Sequence, residues 1–251
     1  MDDDTEICTV LNTTLTLDGE SDSDIGVSTS FAISPIITIL VGRKKCKYTA
    51  HKILLQLRSP FFARCLAVGM KEALTSMVEL PEDHVQAFDL FITWIYHGKV
   101  RSIEKEKDDD TKHGSKQLLP LVQAWVLADK FDMEVWQNKV IDALAKWWNE
   151  VPVYPATINW VVSNVDEASM LFKMVMDQFA WDLSDARYRV LVGGTRAAEG
   201  MKELLATGRF PEQVLWYAIE TDQDEVDRPV KFPCKYHLHH RSVKCQPPQK
   251  K

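Results

Sequence analysis

The residues with the clearest capacity for chemistry lie near the end of the chain, where Cys234-Lys-Tyr-His237-Leu-His239-His240-Arg-Ser-Val-Lys-Cys245 places two thiols and three imidazoles within twelve residues. Thiolate sulfur and imidazole nitrogen are the usual donors of tetrahedral zinc. Cys234, His237, Cys245 and one of His239 or His240, with His240 as the working choice, therefore form a candidate set for one Zn²⁺. Their spacing matches no specific finger signature. The same residues sit in a stretch, 231–251, that holds six Lys or Arg and no acid, and a flexible basic tail or a nuclear import patch is the favoured reading over the metal site.

Catalytic signatures are missing elsewhere. The sequence has no Gly-x-Ser-x-Gly, no phosphate-cradling Gly loop ending in Lys-Ser/Thr, no His-Glu-x-x-His and no Cys-x-x-Cys. His51 stands at an expected strand-to-helix junction, where a packing histidine is favoured over a catalytic base. The expected class is non-enzymatic. With 251 residues, 45% hydrophobic and 26% charged, the composition is that of an ordinary globular chain with one or two domains. A net charge of −6 disfavours a phosphate-binding surface, so nucleic acid is not the expected partner. No apolar run reaches the roughly 20 residues of a membrane helix, and the start Met1-Asp2-Asp3-Asp4 is the opposite of a secretory leader. These features predict an intracellular protein, in cytoplasm or nucleus, with reduced thiols.

The elements that must position such residues are densest from Pro35 to Gly98. The β-branched run Ile36 to Val41 predicts a buried strand, Gly42-Arg43-Lys44-Lys45 a turn, and Cys46 to Ala50 the returning arm of a hairpin. His51 to Leu57 predicts a short helix. Ser59-Pro60 predicts a new helix start, with Ser as N-cap and Pro where its missing N–H costs nothing. Met77 to Leu80 predicts a third strand, and Glu82-Asp83 the opening of a helix with Val85, Phe88, Phe91, Ile92 and Ile95 on one face. Beyond a charged insert, Leu118, Leu119, Val122, Trp125 and Val126 form one helical stripe, and Val135, Trp136, Val140, Leu144 and Trp147 another. Trp148 cannot share the face of Trp147 and is expected to pack against the C-terminal region. Thr157 to Asn164 and Asp166 to Trp181 predict two further helices, and weaker patterns lie near 197–206 and 210–219.

Thr38-Ile39-Leu40-Val41-Gly42, Tyr48-x-x-His51-Lys52-x-x-Leu55, Arg58-Ser59-Pro60-Phe61-Phe62, Val78-Glu79-Leu80-Pro81-Glu82-Asp83 and Phe88-x-x-Phe91-x-x-Trp94-x-Tyr96-x-Gly98 follow one another in order. Together they resemble the BTB/POZ domain, and among its members those of filamentous fungi. Ile36 stands where many members carry an Asp. The resemblance implies an α+β fold, a small mixed sheet covered by helices, followed by a helical C-terminal extension. Residues 1–33 are expected to be a disordered acidic arm, 34–150 the BTB/POZ domain with a charged insert at 99–116, 151–220 a helical extension and 221–251 a polar, basic tail.

The resemblance further implies a protein–protein interaction module. BTB domains commonly form homodimers, and some are substrate adaptors docked on a cullin scaffold of ubiquitin ligases; transcription-linked and structural assembly roles are the alternatives. Adaptor-type members carry an apolar residue, any residue and a Glu just before the third strand. Met70-Lys71-Glu72 stands at the matching place, so Met70 and Glu72 are the candidate partner-binding residues. No cofactor is expected, apart from zinc in the tail.

Overall fold

A computed structural model describes residues 33–100, 114–184 and 231–240, with isolated positions at 202, 205, 206 and 212. The acidic arm up to residue 32, residues 101–113 of the insert, the weak helical patterns near 197–206 and 210–219 for the most part, and Cys245 lie outside the described residues.

Three strands, β1 (Ile36–Val41), β2 (Cys46–His51) and β3 (Met77–Leu80), form a sheet in the order β2-β1-β3. β1 runs antiparallel to β2 and parallel to β3. Side chains alternate between the faces of a strand, and the register brings like faces together. Ile37 lies opposite Ala50, Ile39 opposite Tyr48 and Val78, and Val41 opposite Cys46 and Leu80. Ile37, Ile39, Val41, Ala50, Val78 and Leu80 are all buried, while Ile36 is half exposed, so β1 buries one face fully rather than both. The hairpin turn needs Gly42, whose φ is +72° and whose added Cβ would meet the Val85 side chain at 3.4 Å. Cys46 is disulfide-bonded, contrary to the expectation of reduced thiols, whereas Cys65 and Cys234 are not.

Two short helices follow, α1 (Lys52–Arg58) and α2 (Pro60–Cys65). Ser59 caps α2 as its sequence requires: its Oγ accepts from the Phe62 N–H at 3.4 Å and donates to the Phe131 carbonyl at 3.0 Å. The cap thus also fastens α2 to a residue far along the chain. The loop after β3 is longer than expected. Helix α4 (Val85–His97) starts after His84, and Asp83 instead pairs with Lys130 Nζ at 2.6 Å. Between α2 and β3 lies α3 (Lys71–Thr75), which fully buries none of its side chains.

Helix α5 (Gly114–Lys130) includes the last three residues of the expected insert. Val100, at the other end of that insert, packs against the core. α5 lies between α4, α6 (Glu134–Trp148) and α7 (Pro155–Asn164). Leu121, Ala124, Leu127 and Ala128 are accordingly buried beside the expected Leu118, Val122 and Trp125. A helix surrounded on several sides loses its polar face, and with it the narrow stripe that periodicity detects. Helix α8 (Met170–Ser184) begins four residues later than predicted, after a turn in which Asp166 Oδ1 accepts from the Ala168 N–H. Its Leu171, Met174, Val175, Gln178 and Phe179 are buried as expected. One continuous core runs from β1 through α8 to Tyr236 and includes a cluster of contacting rings, Phe61, Phe62, Phe88, Phe91, Phe131 and Trp136, that meet stacked, tilted or edge-on.

Candidate functional site

Met70 and Glu72 lie where α2 gives way to α3. Gly69, at φ +90°, turns the chain, and Met70 forms the N-cap of α3 without a side-chain hydrogen bond. The segment from Val68 to Met77 exposes four large apolar side chains: Val68 at 101%, Met70 at 47%, Leu74 at 79% and Met77 at 41%. Single apolar residues on a surface are ordinary, but four within so short a stretch of chain are a candidate for an interaction site. Glu72 is half buried beside them, close enough to Cys65 for its carboxylate to disfavour the thiolate.

His51 closes β2 with its Nδ1 2.9 Å from the Tyr96 hydroxyl, while its backbone N–H donates to the same oxygen. That pairing ties the strand end to α4, as a packing histidine would.

The C-terminal segment is folded onto the helices. A 3₁₀ turn, Pro233–Tyr236, places buried Tyr236 against α8, where its hydroxyl donates to Asp177 Oδ2 and Lys235 pairs with the same oxygen at 3.0 Å. The chain then runs along α6. Asn138 accepts from the Leu238 N–H and donates to the Leu238 carbonyl, both at 2.8 Å. His237 Nε2 meets Asp142 Oδ1 at 3.0 Å, and Glu134 accepts from the His240 N–H. Glu134, Asn138 and Asp142 recur every four residues and so line one face of α6. Burial pushes the Asp142 carboxyl up, but the hydrogen bond and charge of His237, with Lys139, outweigh it and hold the group below its ordinary value. This polar seam was not anticipated; its signal is the i, i+4, i+8 recurrence of carboxylates and an amide on a helix whose opposite face is apolar.

Among the expected metal ligands, Cys234 and His237 come together, and His239 rather than His240 joins them. Donor atoms of Cys234, His237 and His239 all lie within 4.8 Å of one another. The reason is conformational. Residues i and i+3 eclipse in a 3₁₀ turn, which aligns Cys234 with His237. From His237 the backbone is extended, φ −78° and ψ 146°, so i and i+2 share a face and His240 is directed away to an exposed position.

Residues 37–145 match the family model of the BTB/POZ domain. The three-stranded mixed sheet with its covering helices is thus a BTB/POZ domain, a module of protein–protein interaction, and the α+β reading of the sequence holds. No curated protein matches the chain. Among the described residues no helix is long and apolar enough to cross a membrane.

Proposed function

We propose that the chain is an adaptor whose BTB/POZ domain docks on a cullin scaffold through the segment between α2 and β3. The supporting observation is the exposure of Val68, Met70, Leu74 and Met77 within one short stretch of chain, around a helix that fully buries nothing of its own. In this reading the Met70 thioether enters an apolar pocket of the scaffold, since Met adapts to irregular cavities. Glu72, at the edge of the patch, accepts a charge-assisted hydrogen bond from a scaffold donor. A basic Cys/His tail is the one sequence feature that favours the transcription-linked alternative, and residues 231–240 of that tail are engaged with α6 and α8.

The deciding experiment titrates a purified cullin N-terminal domain against wild type and a Met70→Ala, Glu72→Ala variant, with circular dichroism as the folding control. The variant should keep its fold and lose roughly 2 kcal/mol or more of binding free energy, the scale of interface hot spots. Absence of wild-type binding, or equal binding by both proteins, removes the adaptor reading.

A further inference from the structure

We infer that the C-terminal segment carries a zinc site formed by Cys234, His237 and His239, which clips the end of the described chain onto α6. Zinc bound by thiolate at about 2.3 Å and by imidazole at about 2.0–2.1 Å in tetrahedral angles sets sulfur and nitrogen about 3.6 Å apart. Cys234 Sγ and His239 Nε2 are 3.7 Å apart, and the His237 donor lies within 4.8 Å of both. The three ligands therefore need only a small contraction to share one ion.

The surroundings match what a metal ligand requires. His237 directs Nε2 to Asp142 Oδ1 at 3.0 Å, an outer carboxylate of the kind that orients a ligating imidazole, and the imidazole would offer its other nitrogen to the ion. Asp142 is in turn held by Lys139 at 3.5 Å. His239 turns its Nε2 to Cys234 Sγ, while its Nδ1 is buried without a hydrogen-bond partner among the described residues. Cys234 is not in a disulfide. A donor set of one sulfur and two nitrogens selects zinc over the oxygen-seeking calcium and magnesium. Three protein ligands leave the fourth tetrahedral position to water or another donor.

The two ends of the clip are already fixed without metal, by Tyr236 on Asp177 of α8 and by Leu238 on Asn138 of α6. The ion would lock the residues between and beside these anchors, so its role is structural.

The full chain, purified without added metal and then equilibrated with a micromolar, chelator-buffered zinc solution, should retain about one zinc per chain by elemental analysis. Cobalt substituted for zinc should give the near-ultraviolet charge-transfer absorption of a cobalt–thiolate bond, a readout on the wild-type protein that no folding defect can imitate. Cys234→Ser should abolish that absorption. His239→Ala should weaken metal binding at least tenfold, Asp142→Asn should weaken it by about 10- to 100-fold as an outer-carboxylate change does, and His240→Ala should leave it unchanged. Zinc far below one per chain after equilibration, a cobalt complex without thiolate absorption, or equal losses from the His239 and His240 variants would overturn the site.

Discussion

Cys65 shows how a single side chain records its surroundings. Its Sγ–H donates to the Phe62 carbonyl at 3.7 Å, and burial, followed by the nearby negative charge of Glu72, pushes the thiol up from 9.0 to about 11. Both effects penalise the thiolate. The folded chain therefore holds this proton more tightly than the unfolded chain does. Its contribution to stability is complete below about pH 9 and is lost as pH rises towards 11. Burial raises Tyr154 as well, so the comparison that isolates the thiol is wild type against Cys65→Ser. The urea midpoint of wild type should fall more steeply across that window, and parallel curves would contradict the assignment. Since the thiolate is the nucleophile, iodoacetamide at pH 8 should alkylate folded Cys65 slowly, and Glu72→Gln should speed the reaction. Cys65 and its helix were legible from the residues around it. Its coupling to Glu72 was not, because it depends on how α3 sits beside α2.

Among the elements, α6 is the most instructive. The sequence predicts a stripe of Val135, Trp136, Val140, Leu144 and Trp147; Trp136, Val140 and Leu144 are buried as expected, with Ile141 and Trp148 buried beside them, whereas Val135 is 58% exposed and Trp147 only partly buried. Adjacent tryptophans lie about 100° apart on a helix of 3.6 residues per turn, so which of the two is covered depends on what packs against each side of the helix end. Trp148→Ala should cost about 3–5 kcal/mol, the range for large aromatic truncations in a core. Trp147→Ala should cost less than half as much. Urea denaturation of the two variants checks the order, and a larger loss at Trp147 would contradict the burial of Trp148 as the dominant contact.

For the whole molecule, the consequential feature is that the core does not stop where the BTB/POZ match stops. Val153, Ile158, Val161 and the apolar face of α8 belong to the same buried cluster as β1. Buried Asp182 reinforces the junction, accepting from the Val153 N–H at 2.7 Å and from Gln178 Nε2 at 2.8 Å. The C-terminal segment adds Tyr236, so it should behave as part of the folded unit. Tyr236→Ala should remove about 3 kcal/mol and lower Tm by about 6–12 °C, given roughly 2–4 °C per kcal/mol at this chain length. A shift under about 2 °C in a calorimetric scan would mean that residues 231–240 dock without contributing to the fold.

What the sequence determined by itself is local. β1 and β3 fall at their expected residues because alternation and flanking Gly or Pro are written into neighbouring positions, and Ser59-Pro60 announced its helix because a cap acts over three residues. The ordered motifs of 37–98 likewise carried the BTB/POZ assignment. Tertiary structure decided what depends on residues far apart in the chain: the burial of Trp148 over Trp147 in α6, the burial of α5 on several sides, the exposure of Met70 with Val68, Leu74 and Met77, and the choice of His239 over His240. The last is the clearest case. Two adjacent histidines are equivalent as letters, and only the change from a 3₁₀ turn to extended backbone, held on α6 by Asn138 and Asp142, turns one towards Cys234 and the other away.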